Sequence, residues 1–545
     1  MKFKKINKTY LFVLFMITLC LIILIAPLIQ AKLIYGDDYM FHITRINSLA
    51  DTLRNGIFPV KIHTDVFNTY GYGYSFFYSN LFLYIPAVLN ILGFNLMTAY
   101  KIFLVFIFIM QAGTSYYSSY TIIKNKVIAV IPTILILLSH NYILNTYYRF
   151  ALGEMLAFAF LPLVIAGMYN LVYERFNKPY LIIIGFVGIV LSHVITTVIA
   201  VCFCACFGLI HIKRIFQEKN FGKLIFAALF VCALTAYYWI PLIEQFGYQT
   251  LWLTVPMVYS SDKLIILFNL FDNSTFTLGS GIVFPIVIMS GLLIIGKHKS
   301  RGFEFLIFGV FTALLSTNLF EWFWRFSQQI FNIQFPWRVL GLATILLSFA
   351  FGIWINETLE NNHIKRDDLK VVIGILLLFI TNYYFALNQI DYVLNTTTST
   401  QEGAFYHNPI ALGYTQEYLP KTITDFDSDT NVFDTPNCAI ASNGNLVYGL
   451  KEGLTFSFKT NGSEYYDIPF ISYKGYKVTS TNDHSATKVV PSDNGLVRVY
   501  VYDQTLTSIT VEYVGTTAQY IAYLISGTTL IATIGFFILR KKKQK

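Results

Sequence analysis

The chain has 545 residues, of which 55% are hydrophobic and only 13% charged, with a formal net charge of +9. That apolar share excludes an ordinary soluble globular protein and a disordered chain. The basic excess calls for no nucleic-acid partner, because it gathers in short clusters between apolar runs, where anionic lipid is the natural counter-charge.

Successive apolar runs, most of them about 16 to 22 residues long, predict a polytopic α-helical membrane protein of about 12 spans. They fall at 10–29, 98–121, 127–138, 154–172, 180–192, 195–212, 224–241, 281–296, 303–317, 338–356, 370–387 and 518–539. Basic clusters at 2–8, 124–126, 175–178, 213–223, 297–301, 365–370 and 540–545 then all face the cytoplasm, which places both termini inside. The run 76–93 would break this parity. It holds Pro86 and many aromatics, so it reads as an interfacial or re-entrant segment. The first run is longer than a usual signal-peptide core and lacks a clean small-x-small site after it, so it reads as an anchor. The expected layout is a transmembrane domain over 1–387 with a long first external loop at 30–97, an extracytoplasmic β-rich domain over 388–517, and an anchor with a basic cytoplasmic tail over 518–545. Five of the six cysteines lie in apolar spans as packing residues, and Cys438 alone lies outside.

The first external loop opens on Tyr35-Gly36-Asp37-Asp38-Tyr39-Met40-Phe41-His42-Ile43-Thr44-Arg45-Ile46. Gly36 breaks the preceding structure, and Asp37 or Asp38 can cap a helix. Asp38, His42 and Arg45 then share one face, beside an apolar stripe of Tyr39, Ile43, Ile46, Ala50 and Leu53. Two readings stand: a membrane-surface helix aiming its charges at a polar cavity, or a capped loop helix with solvated charges. Further along come Lys61, His63 and Asp65, then Tyr70-Gly71-Tyr72-Gly73-Tyr74-Ser75-Phe76-Phe77-Tyr78. Glycines interleaved with aromatics suit an interfacial turn with rings at headgroup depth, or a platform for a sugar or isoprenoid.

Arg149 and Glu154 stand at the mouth of an apolar span, where ionisable groups are costly and tend to be functional; they can also simply pair with each other. His193 interrupts another apolar run and reads as a hydrogen-bonded helix end or as a ligand. In Gln334-Phe335-Pro336-Trp337-Arg338, Pro336 can begin a span with Arg338 in its first turn. A helix N-terminus with a guanidinium suits a lipid-linked phosphate. Over 388–517 the chain becomes polar, and 454–459, 475–480, 496–502 and 508–513 alternate as strands do.

Taken in order, Gly-Asp-Asp-x-x-x-His-x-x-Arg at 36–45, the Gly/Tyr stretch at 71–78, Arg149 with Glu154, Ser192-His193, Gln334-Phe335-Pro336-Trp337-Arg338 and Ile468-Pro469 with Lys474-Gly475-Tyr476 resemble the GT-C superfamily of membrane glycosyltransferases, in its YfhO-like bacterial branch. The resemblance covers nearly the whole chain. It implies a multi-pass enzyme of the bacterial cell membrane, moving a sugar with inversion from a polyprenyl-phosphate donor to a cell-envelope glycan, teichoic acid or lipid acceptor on the outer face. By position, Asp38 matches the family base, with Asp37 beside it. His42, Arg45, Arg149, Glu154, His193 and Arg338 fall to substrate binding, the arginines facing the leaving phosphate. No cofactor is required; a divalent metal could draw oxygen ligands from Asp37, Asp38 and Glu154. A flippase of lipid-linked intermediates and a non-catalytic polymer-assembly protein remain as alternatives, although the inverted repeats common in transporters are not visible.

Overall fold

The computed structural model describes residues 8–29, 36, 38–252, 270, 300–331, 335–364, 369–396, 417–423, 435–480, 487–502 and 507–543. The chain divides into two compact units, each built from separated stretches. The first takes Met1–Met40, Tyr100–Val231 and Pro256–Ala404, and the second Phe41–Ala99, Cys232–Val255 and Phe405–Lys545.

Among the described residues, six helical segments are long and apolar enough to cross a membrane: Lys8–Ile29, Leu96–Ile123, Leu152–Tyr173, Pro336–Asn361, Leu369–Asn395 and Thr517–Phe536. Phe221–Leu234 and Ala236–Tyr248 meet at a 72° bend and make a seventh if taken as one span. The other expected spans are shorter. Tyr180–Val190 has 11 residues, Val194–Ile210 has 17 and Arg301–Leu315 has 15. At 127–138 lies Val130–Leu137, whose eight residues cover about 12 Å against a hydrocarbon core of ~30 Å. The reason is local: Ser139 caps a new helical segment by accepting from the Tyr142 amide at 3.3 Å. The span expected at 281–296 lies outside the described residues. The segment 76–93 carries only the eight-residue helix Tyr84–Ile91, too short to cross.

In the first unit Leu152–Tyr173 is the central helix. Every residue from Leu152 to Val172 except Glu154 is buried, as expected for a helix apolar on all sides. It packs against Tyr180–Val190, while Arg301–Leu315 packs against Leu340–Asn361.

The second unit is organised on an antiparallel sheet of eight strands: β1 Cys438–Ala441, β2 Leu446–Glu452, β3 Thr455–Lys459, β4 Tyr465–Ile471, β5 Tyr476–Ser480, β6 Thr487–Pro491, β7 Leu496–Val501 and β8 Ser508–Tyr513. Their order is β5-β8-β3-β2-β1-β4-β7-β6. One face is apolar, with Phe456, Phe458, Ile468, Phe470, Val499, Ile509 and Val511 in the core. On β4 and β7 the buried Asp467 accepts from Arg498 through Nε at 2.7 Å and Nη2 at 3.0 Å. That forked geometry is the favourable one for a guanidinium and a carboxylate.

The first loop belongs to this same core. Ile62, Val66, Tyr70, Tyr72, Tyr74, Phe76 and Phe77 are buried with the strand residues, although 30–97 is expected as a loop of the 1–387 transmembrane domain and 388–517 as a domain of its own. The Gly/Tyr stretch is therefore neither an exposed interfacial turn nor an open platform: its rings from Tyr70 to Phe77 are interior packing, and only Tyr78 is half-buried. The Ile471 amide donates to the Tyr70 carbonyl at 3.0 Å, and Phe77 stacks on Tyr418 at 4.8 Å. Helix Ala236–Tyr248 is tied in by Gln245, which donates to the Lys474 carbonyl and accepts from its amide, both at 2.9 Å. The anchor helix Thr517–Lys543 joins through the Ser526 hydroxyl, which donates to the Ala233 carbonyl at 2.9 Å.

At Gly73 a Cβ would lie 2.8–2.9 Å from the Tyr473 ring, closer than packed atoms allow. Gly73→Ala should therefore destabilise this unit by about 1–3 kcal/mol, read as a lower apparent melting temperature in detergent. Adding Tyr473→Leu, which removes the ring, should return part of that loss. A single variant as stable as wild type would show that the contact is not tight.

Candidate functional site

The site starts from a glycine. At Gly36 a Cβ would fall 2.3 Å from the Tyr148 carbonyl oxygen and 2.4 Å from Cδ2 of Phe150, so no other residue fits without displacing the backbone there. The Asp38 amide donates to the Arg149 carbonyl at 2.9 Å, and the Tyr39 amide to that of Gly36 at 3.2 Å. Tyr39 then meets Phe150 edge-on at 5.4 Å and Tyr100 at 6.1 Å. These contacts set Asp38, half-buried, just before helix Tyr39–Arg54. Asp37 lies outside the described residues.

The partner segment is itself unusual. Leu144–Tyr148 winds as a π-helix; the Arg149 amide reaches back to the Leu144 carbonyl at 3.0 Å, and Phe150 adopts φ +52°. Single π-turns of this kind frequently mark functional sites. The turn aims Arg149, itself buried, at the next helix. Its Nη1 lies 3.1 Å from Oε2 of Glu154 and its Nη2 3.3 Å from Oε1, while Nη1 also donates to Asn145 Oδ1 at 2.6 Å. Arg338 arrives from the turn Pro336–Val339 and donates from Nε to Glu154 Oε1 at 2.8 Å. Its guanidinium rests 5.1 Å from the Phe335 ring centroid, and Phe335 stacks on Trp337 at 4.3 Å. Two guanidiniums thus converge on one carboxylate whose side chain is 11% exposed.

His193 caps helix Val194–Ile210. Its Nδ1 accepts from the Thr196 amide at 3.3 Å and lies 2.8 Å from the Thr196 hydroxyl. It sits within electrostatic reach of Glu154, as the helix end that one of its two readings described. Of the sequence candidates in the first unit, Arg149, Glu154 and Arg338 meet directly, Asp38 joins through its backbone, and His193 stands beside Glu154. Asn145 escaped notice; its signal was the four-residue spacing to Arg149, one helical turn.

His42 and Arg45 lie in the second unit, and both are buried. His42 packs against Phe41 and Tyr78. Arg45 is 1% exposed; its Nη2 donates to the carbonyls of Tyr78 and Ser79 at 3.4 and 3.3 Å and to Asn80 Oδ1 at 3.3 Å. The rings of Tyr78, Phe41 and Tyr74 lie 4.1, 5.3 and 5.3 Å from it. This is a cation held inside a packed loop. Beside it, His63 Nδ1 lies 3.0 Å from the hydroxyls of both Ser48 and Tyr74, and its Nε2 lies 2.6 Å from Ser75 Oγ. Ser48 in turn donates to Asp65. Burial, aided by the Arg45 charge, pushes the His63 imidazole well below its ordinary 6.5. Burial also pushes the Asp65 carboxyl upward.

Because protonated His63 is disfavoured in the fold, its contribution to stability is complete above about pH 6.5 and declines as the pH falls below that value. Asp65, shifted upward, acts with the opposite sign. Apparent melting temperature should therefore drop between about pH 7 and about pH 5.5, and His63→Gln should flatten that slope. An unchanged slope in the variant would remove His63 as its source.

Residues 76–390, more than half of the chain, match the family described as 6-pyruvoyl-tetrahydropterin synthase related domain; membrane protein. The matched stretch contains Arg149, Glu154, His193 and Arg338 and begins after Asp38 and Arg45. The chain is also similar to an uncharacterized protein of Lactococcus lactis subsp. cremoris (strain MG1363), 23% identical over an alignment of 571 positions that spans 92% of this chain and 90% of the relative. With a membrane-protein family matching most of its apolar helices and the arginine–glutamate cluster, this chain belongs to the 6-pyruvoyl-tetrahydropterin synthase related family of membrane proteins.

Proposed function

We propose that this protein is a GT-C-type glycosyltransferase of a bacterial cell membrane, moving a sugar with inversion from a polyprenyl-phosphate donor to a cell-envelope acceptor at the outer face. The observation that carries the reading is the shared frame of Asp38 and the arginine cluster. The Asp38 amide is bonded to the Arg149 backbone, and the Arg149 side chain meets Glu154 together with Arg338. A carboxylate for the acceptor proton and two forked cations for a phosphate are thus set on connected elements. In the proposed step the acceptor oxygen bonds the anomeric carbon as its proton passes to Asp38. The bond from that carbon to the donor phosphate breaks, and the departing phosphate gains its negative charge beside Arg149 and Arg338. Arg45, enclosed by its own loop, is given no part in this step. Glu154, committed to two guanidiniums, is a poor ligand for a divalent cation, so no step is routed through a metal.

The proposed topology keeps twelve crossings with both termini cytoplasmic. The short Val130–Leu137 crosses together with the helical turns that follow up to Tyr148, and Phe221–Leu234 with Ala236–Tyr248 forms one bent crossing. Arg149, Glu154 and Arg338 then all stand at outer helix ends. In a cysteine-free background, Tyr448→Cys should react with an impermeant maleimide on intact cells, since Tyr448 is 77% exposed. Lys219→Cys should react only after permeabilisation. Reversed labelling would overturn the orientation.

Transfer of a tritiated hexose from polyprenyl phosphate to membrane acceptor should fall by about 10²–10⁴-fold in Asp38→Asn, the usual range for loss of a general base, with donor binding retained. Arg338→Ala should weaken donor binding more than Arg325→Ala, whose arginine pairs with Glu321 at an exposed position. A flippase or an assembly scaffold would form no glycosidic bond, and its function would survive Asp38→Asn.

A further inference from the structure

The first unit carries a second polar cluster, at the other end of the helix that holds Glu154 in its first turn. Tyr173 ends Leu152–Tyr173, roughly 19 residues and ~28 Å along the axis from Glu154, close to the ~30 Å thickness of a hydrocarbon core. Two guanidiniums from different helices lie against this one ring: Arg214 at 4.9 Å and Arg301 at 5.1 Å from its centroid. Arg301 also donates from Nη1 to the Tyr169 hydroxyl at 2.6 Å. Neither arginine forms an ion pair among the described residues. The nearby Glu304 is engaged by the Tyr173 hydroxyl and by His211 Nε2, the latter at 3.1 Å. Glu174 is engaged by Lys124 at 2.7 Å.

The surroundings are those of a membrane interface. Lys126 lies 4.1 Å over the Tyr10 ring, and Lys178 lies 5.6 Å over that of Tyr117. Cations paired with tyrosines at helix ends are what a headgroup layer selects. Immediately around Arg214, Leu209, Ile210 and Phe216 are exposed apolar side chains, where acyl chains rather than water would lie. We propose that Arg214 and Arg301, with the Tyr169 hydroxyl, whose proton is free to donate because its oxygen accepts from Arg301, bind the phosphate of an anionic lipid headgroup, its chains running along Leu209, Ile210 and Phe216. A free phosphate would satisfy the guanidiniums but would leave that apolar surface uncovered.

The test uses the purified full chain in neutral detergent, with phosphatidylglycerol or phosphatidylcholine added and lipid retention read by native mass spectrometry. Wild type should retain phosphatidylglycerol selectively. Each arginine should contribute about fivefold, so Arg214→Ala with Arg301→Ala should weaken retention roughly 25-fold, while Lys219→Ala should leave it unchanged. Arg214→Gln alone guards against a folding defect, because this exposed side chain makes no hydrogen bond among the described residues; it should still lose about fivefold. Equal retention of both lipids, or unaltered retention in Arg214→Gln and in the double variant, would overturn the proposal. So would displacement of phosphatidylglycerol by millimolar inorganic phosphate, which would assign the site to a free anion.

Discussion

A carboxylate inside an apolar helix layer is stable only if something holds it. Glu154 is such a group, the one residue between Leu152 and Val172 on its helix that is not buried. Removing a charge from water costs several kcal/mol unless paired and hydrogen-bonded. Arg149 and Arg338 supply that pairing from two other places in the chain, so the need to satisfy one glutamate fixes the π-turn at Leu144–Tyr148 and the entry of the Pro336–Val339 turn. The Asp38 turn, hung on the Arg149 carbonyl, follows from the same constraint.

The contrast with Arg45 is instructive. Both regions bury guanidiniums, but Arg45 is surrounded by backbone carbonyls and three aromatic rings, a neutral polar shell that orients its loop. Arg149 and Arg338 instead face an anion. A group already arranged to hold an oxyanion is better suited to a departing phosphate than one enclosed by carbonyls, and this difference decides which arginines the proposed chemistry uses.

Much of this was readable from residue order alone. Within the described residues the long apolar runs became helices, and four alternating stretches became β3, β5, β7 and β8. Strand β4 was missed because it is buried almost along its whole length, which removes the period of two that marks a half-exposed strand. The pairing of Arg149 with Glu154 was legible because the two are close in sequence. Arg338 could be assigned to the same end of the helices by charge bias, but not to the same carboxylate. The burial of Tyr70, Tyr72 and Tyr74 was illegible, since a glycine-tyrosine stretch has the same composition at a lipid interface, on an open platform or inside a core. Only contacts with strands far along the chain distinguish the three.

Those distant contacts bear on how the protein is made. Gly73 and the Tyr473 ring that covers it are separated by roughly 400 residues, which at ~5–20 residues per second is ~20–80 s of translation. Throughout that interval the aromatic loop has left the ribosome while the strands that will bury it do not yet exist. A nascent chain with so many uncovered rings is prone to aggregate, and a truncation before β4 would leave that loop without the Ile471 and Tyr473 contacts that cover it.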